Sequence, residues 1–277
     1  MRIATWNVNS LRARLDKVVG WLATADTDVL LMQETKLTDL AAPDMAFGMA
    51  GYRLAHHGEG RWNGVAIASR VGLDAITSNF GDGPPQPASP GPSDDGASEA
   101  RDDEPGAEAR MIAATCGGIR VVSLYAPNGR ALDTPFYAAK LAWYERLLAW
   151  LEASASPDEP LVLGGDLNIA PTDLDVYDPA AYVGTTHTSG RERAAFQALL
   201  SWGLVDAYRL HHPEGGRYTW WDYRAGNFHK GLGMRIDHLL VTRSLAARVT
   251  AAEVDRDARK GPTPSDHAPM WIDIADA

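Results

Sequence analysis

The chain has 277 residues, a net charge of -10, 45% hydrophobic residues, 22% charged residues and a mean hydropathy of -0.24. These values leave room for a substantial core and exclude a membrane span, because no apolar run approaches the roughly 20 residues needed to cross a bilayer. The single cysteine, Cys116, excludes an internal disulfide and suits a reducing cytoplasm, where it reads as a small buried side chain. Met1-Arg2-Ile3-Ala4-Thr5-Trp6 reads as a strand that begins at once, with neither the apolar stretch nor the small-residue cleavage site of a signal peptide.

In chain order, apolar spacing at Leu11, Leu15, Val18, Val19 and Leu22 predicts a helix over 10–24. Val29-Leu30-Leu31-Met32 and Gly64-Val65-Ala66-Ile67-Ala68 follow as strands. Residues 81–110 break the composition. They run from Gly83-Pro84-Pro85 through acidic, glycine- and alanine-rich text with almost no aliphatic or aromatic residue, and predict a disordered surface insertion inside one domain spanning 1–277. Within 82–110 there are eight acids and two bases, so the rest of the chain is much closer to neutral and leaves space for a basic face. Strand text resumes at Met111-Ile112-Ala113-Ala114-Thr115 and Val121-Val122-Ser123-Leu124-Tyr125. Thr134 as a cap, Pro135 in the first turn and Tyr137, Leu141, Tyr144, Leu148 and Leu151 predict a helix over 135–152. Leu161-Val162-Leu163 is a strand. A capping box at Ser189 and Glu192 opens a helix that closes near Gly203, and Ile236–Val241 and Met270-Trp271-Ile272 are the last strands. Helices interleaved with hairpin-like strands predict two packed sheets flanked by helices.

Polar groups recur at the tips of these strands. They are Asn7, Glu34, Tyr125, Asp166 with Asn168, Asp237, and Asp266 with His267. Each alone reads as a turn residue, a cap or core packing. Together they are oxygen and imidazole donors beside apolar runs, a set suited to hydrolysis assisted by a hard cation. Glu34 and Asp266, with the neutral oxygen of Asn7, are the candidate ligands for magnesium.

Eight segments carry a family resemblance, in order: Thr5–Arg12, Gln33–Lys36, Asn63–Ala66, Tyr125–Gly129, Gly164–Pro171, Ser201–Asp206, Arg235–Asp237 and Ser265–Pro269. With these the chain resembles the exonuclease III family of abasic-site endonucleases, within the endonuclease/exonuclease/phosphatase superfamily. The resemblance implies an α/β fold: a four-layer α/β sandwich (DNase I-like), with two mainly antiparallel sheets face to face and helices outside. It implies that Asn7, Glu34 and Asp266 bind magnesium or manganese, and that Asp166 activates or orients the attacking water. Asn168 would contact the scissile phosphate or that water. His267 would contact the phosphate with its orientation set by Asp237, and Tyr125 would bind the phosphate or assist the leaving oxygen.

The reaction class is shared by lipid and nucleic-acid phosphodiesterases, so substrate is read from other residues. Tyr218–Arg224 and Gly233–Ile236 resemble the family's abasic pocket, in which Trp220, Met234 and Ile236 would line a small apolar cavity for a flipped-out sugar; Trp221 reads as core. Arg12, Lys36 and Asn128 in matched segments, and Arg130 directly after one, could bind phosphates without reading sequence; Lys36 could instead pair with Glu34. The expected partner is double-stranded DNA with abasic sites or 3′ ends, met by a cytoplasmic monomer without membrane contact. A relative acting on RNA or on a lipid head group is the competing enzyme reading, and segment 218–236 separates the two. A catalytically silent DNA-binding protein is disfavoured by the acid cluster, which is costly beside DNA unless it holds a metal.

Overall fold

Strand β1 (Arg2–Asn7) sets the layering by simple alternation. Ile3 enters a core between two sheets, while Ala4 and Trp6 enter a second core against helices. The computed structural model describes residues 1–80 and 108–276. Its first sheet runs in the order β11 (Val249–Val254), β12 (Met270–Ile274), β1, β2 (Val29–Gln33), β4 (Val65–Ser69), β3 (Arg53–His57). The second runs β5 (Asp74–Ser78), β6 (Met111–Cys116), β7 (Ile119–Tyr125), β8 (Leu161–Asp166), β10 (Asp237–Thr242), β9 (Leu204–Asp206). The pairs β1/β2 and β7/β8 are parallel and the other neighbours are antiparallel.

Each parallel pair is joined by a crossover helix, as parallel strands require. Helix α1 (Leu11–Ala25) links β1 to β2, and α3 (Pro135–Ser154) links β7 to β8. Helix α2 (Asp44–Met49) packs with α1 on the outside of the first sheet through Phe47, and α4 (Gly190–Trp202) joins α3 on the second. The order of layers is therefore helix, sheet, sheet, helix, the expected sandwich. The apolar runs seen in sequence are the central strands: every residue of β2, β4, β8 and β10 is buried, since both faces of each sheet are covered. The predicted caps are present. Thr134 accepts from the Tyr137 N–H, and Ser189 and Glu192 close a reciprocal capping box.

Directly beneath the strand tips the inter-sheet core turns polar. Thr5 donates to Gln33 at 3.2 Å, Gln33 to Ser123 at 3.0 Å, and Ser123 to the Met32 carbonyl at 2.9 Å. All three side chains are fully buried and mutually satisfied, so the chain of bonds fixes the register of one sheet on the other. Of the insertion expected at 81–110, residues 81–107 lie outside the described residues. Glu108 and Arg110 are described: they are buried, form an ion pair, and hold the Arg110 guanidinium 4.9 Å over the Tyr125 ring. Cys116 is buried, as expected, and among the described residues no helix is long and apolar enough to cross a membrane.

Candidate active site

The donors converge because they occupy neighbouring strand ends. Asn7 ends β1, Glu34 follows β2, Tyr125 ends β7, Asp166 ends β8, Asp237 opens β10, and Asp266 and His267 precede β12. Glu34, Lys36 and Asn168 turn their backbones into the left-handed region (φ 52, 54 and 51), as residues held at functional turns often do. Gly164 lets β8 approach the opposite sheet. A Cβ there would fall 2.5 Å from Leu31 Cδ1 and 2.6 Å from Leu239 Cδ2.

At the centre, Asn7 Nδ2 donates to Glu34 Oε1 at 2.8 Å and to Asp166 Oδ2 at 2.9 Å. Its Oδ1 is taken by the Asn9 N–H at 3.0 Å. Asn7 thus bridges the two carboxylates through its amide nitrogen while its oxygen is turned to the Asn9 N–H. Lys36 pairs with Glu34 at 2.8 Å and donates to Asn9 Oδ1 at 2.6 Å, the second of its two expected roles. Asn9, which sequence analysis did not single out, also donates to Asp266 Oδ1 at 3.0 Å and so links both ends of the acidic cluster. Ligand atoms of Glu34, Asp166 and His267 all lie within 4.8 Å of one another, a spacing one cation can bridge.

His267 stands between two acids, with Nδ1 2.8 Å from Asp237 Oδ2 and Nε2 3.7 Å from Asp166 Oδ2. Burial opposes charge on this imidazole, but Asp237 and then Asp166 outweigh it and push it up to about 10. Burial also dominates Asp166. With Asp237 and Glu34 nearby it lifts the carboxyl to about 7, although His267 and the Asn7 amide pull the other way. Asp266 is desolvated too, yet His267, the Trp220 N–H and Asn9 hold it below the ordinary carboxylate range. Burial and the charge of Glu34 raise the Tyr125 hydroxyl well above its usual value, so it is a neutral donor. The second oxygen of Asp237 is buried and has no hydrogen-bond partner among the described residues.

Around these groups is a cleft of about 210 Å³ that Trp220, Met234, Ile236, Asn128 and His187 also line. The segment 219–221 is threaded between two others. Trp220 bridges Met234 and His267, the Ala268 N–H meets the Thr219 carbonyl at 2.7 Å, and the Trp220 indole N–H reaches Asp266 Oδ2 at 3.1 Å. Trp221 is core, 1% exposed, as expected. Asn128 donates to Asn168 Oδ1 at 3.3 Å. Arg130 lies 3.7 Å over the Phe136 ring in an adjoining cleft, alongside Trp62 and Arg110. Arg12 is exposed on the first turn of α1; it is Arg14 that folds back, to the Asn9 and Pro264 carbonyls and the Tyr223 hydroxyl. His187 is the other wall residue that sequence reasoning missed. Burial and the nearby Lys140 lower it to about 4, so it is neutral, and its Nδ1 donates to the Asn168 carbonyl at 2.7 Å. Its only signal in the sequence was an imidazole just before the Ser189 cap.

Residues 4–267 match the Endonuclease/Exonuclease/phosphatase family over nearly the whole chain. The chain belongs to that family. Among its relatives, exodeoxyribonuclease III of Haemophilus influenzae is 32% identical over 287 residues, covering 99% of this chain and 100% of the relative. An AP endonuclease from Archaeoglobus fulgidus superposes with a TM-score of 0.90 at 34% identity, covering 100% of both chains. A 3′ phosphatase from Neisseria bound to product DNA hairpin gives 0.87 at 38% identity over 99% of each chain. Membership fits the site: a family whose name spans nucleases and phosphatases shares phosphoester hydrolysis, and the cleft gathers groups for that chemistry.

Proposed function

We propose that this member of the family is a metal-dependent DNA-repair phosphodiesterase. It cuts the backbone on the 5′ side of abasic sites and removes nucleotides or blocking groups from 3′ ends. The observation that carries the reading is the acid–imidazole cluster of Glu34, Asp166 and His267 set against the small apolar wall of Trp220, Met234 and Ile236. The wall fits a sugar without a base, and relatives of similar length are named exodeoxyribonuclease III, AP endonuclease and 3′ phosphatase.

The donor set fits a hard divalent cation. Glu34, Asp166, Asp237 and Asp266 outnumber the cations Lys36 and His267, so the site is negative, and the atoms it offers a metal are carboxylate oxygens. Glu34 and Asp266, beside Asn7, would hold magnesium or manganese. When bound, such an ion neutralises charge on the phosphoryl oxygens.

The protein's own groups then divide the remaining work. Asp166, poised near neutrality, accepts a proton from the attacking water. Its Oδ1 is held by the Asn168 N–H at 3.0 Å, which fixes the carboxylate plane. His267 has Nδ1 committed to Asp237, so Nε2 is its free edge and donates to a phosphate oxygen. Asn168 uses one amide hydrogen on the Ala126 carbonyl at 2.9 Å and keeps the other for substrate. The neutral Tyr125 hydroxyl donates to the phosphate or the departing oxygen. Action as a monomer in a reducing cytoplasm completes the proposal, in keeping with the one buried thiol.

The test is a gel assay on a duplex with one synthetic abasic site, a duplex with a 3′ phosphate, and an undamaged duplex. Incision and 3′ release should stop in EDTA and return with magnesium. Full activity in chelator would refute the metal assignment, and indifference to both lesions would refute the substrate assignment.

A further inference from the structure

Behind the cleft wall formed by Asn128, Asn168 and His187 lies a lysine that the chemistry above does not use. Lys140, on α3, is fully buried. Its ammonium meets Glu192 Oε1 at 2.5 Å, the Asn168 carbonyl at 2.7 Å, the Asn128 carbonyl at 3.2 Å and Thr186 Oγ1 at 3.4 Å. Glu192 Oε1 in turn accepts from Thr186 Oγ1 at 2.7 Å and from the His187 N–H at 2.8 Å, while its Oε2 caps α4 at Ser189.

Two observations argue that this pair does more than stabilise. First, a buried ion pair is a poor route to stability, since apolar residues of the same volume do as well or better. Here the backbone contacts of the pair go to the three residues that line the cleft and to the cap of α4. Secondly, the loop is shaped for the lysine. At Gly129, φ is +84°, and a Cβ would fall 2.9 Å from Lys140 Cδ and 3.1 Å from Thr186 Oγ1. A side chain there would be strained by that φ and would crowd the Lys140 stem and the Thr186 hydroxyl.

We propose that Lys140, braced by Glu192, is a positioning residue that locks the backbones of Asn128, Asn168 and His187 into one rigid wall and thereby sets how fast bound substrate reacts. The inference rests on the phosphodiesterase reading for its effect on rate. Its effect on the wall is independent of that reading. Displacing Asn168 by a fraction of an ångström misaligns it with the reacting phosphoryl group, which lowers kcat more than it weakens binding.

Lys140→Met alone would leave Glu192 buried and unpaired, so the test uses the full chain carrying Lys140→Met with Glu192→Gln. The glutamine is neutral and keeps an acceptor oxygen for the His187 N–H. Amide hydrogen exchange and steady-state kinetics are measured on the same preparation. We expect cooperative melting, faster exchange confined to 126–130, 166–170 and 186–189, and kcat lower by about tenfold or more with KM within about twofold. Should the pair variant fail to melt cooperatively, Gly129→Ala, which retains both charges, is expected to give the same signature. Unchanged exchange in those segments, or an effect on KM alone, overturns the proposal. A wild-type chain inert on both DNA lesions sinks the phosphodiesterase reading and leaves the exchange measurement to decide the wall.

Discussion

Replacing Asp237 with asparagine isolates the interaction that keeps His267 charged. The substitution preserves shape but removes the carboxylate 2.8 Å from Nδ1. Hydrogen bonds to a charged group contribute about 1.5–3 kcal/mol, and one pKa unit is about 1.36 kcal/mol, so the imidazole should drop by about one to two units. With chelator present, an NMR titration should place the wild-type His267 midpoint at about 10 and that of the variant about one to two units lower. The alkaline limb of the kcat profile on abasic DNA should move down by the same interval, because Nε2 must carry a proton to donate. Stability has a definite sign. A folded-state value raised from 6.5 to about 10 gives a contribution that is complete below 6.5 and is lost as pH rises through 10. The wild type should therefore exceed Asp237→Asn by about 1.5–3 kcal/mol at pH 6, with the gap closing by pH 10.5. A midpoint that stays near 10 in the variant, or a gap that does not narrow with pH, would refute the assignment of Asp237 as the partner.

Two further outcomes test the same geometry. Asp166→Asn should lower turnover by about 10²–10⁴-fold as the proton acceptor is lost; because burial raises the native carboxyl from 3.8 to about 7, its ionisation costs stability that accumulates between those values, so the variant should melt higher than wild type at pH 8 but not at pH 3.5. Gly164→Ala would drive a methyl to within 2.5 Å of Leu31 Cδ1; overpacking of this kind costs about 1–3 kcal/mol, and calorimetry should show a lower melting temperature together with reduced turnover, since the strand displaced carries Asp166.

The strand tips were legible because two local signals coincide there. An apolar run such as Leu161-Val162-Leu163 must be buried on both faces, and a glycine pair followed by Asp166 and Asn168 ends it. Caps were legible for the same local reason, as at Thr134 and Ser189. What escaped depends on tertiary placement. Asn9 and His187 sit in the left-handed region (φ 43 and 76), where only the surrounding packing holds such residues. Asn7 was readable as a site residue, but its bridging of Glu34 and Asp166 was not, because the contacts an amide makes depend on both acids being beside it. No repeat was visible in the text either, yet β1–α1–β2 and β7–α3–β8 build the same parallel unit twice. A shared topology needs only apolar text of the right period, not shared residues.

That duplication explains why the site forms where it does. β1 packs against β8 and β2 against β7, so the carboxyl ends of both parallel pairs open at one place. Asn7 there meets Asp166, and Glu34 lies near Tyr125. Across the second sheet, Tyr125, Asp166 and Asp237 stand in register on three adjacent strands. Two carboxylates directly opposite on neighbouring strands repel. The repulsion is relieved by His267, arriving from the first sheet with one nitrogen toward each acid. The charge on that imidazole is therefore a consequence of strand register: a shift of β10 by one residue would remove Asp237 from the row and the reason for His267 to stay protonated.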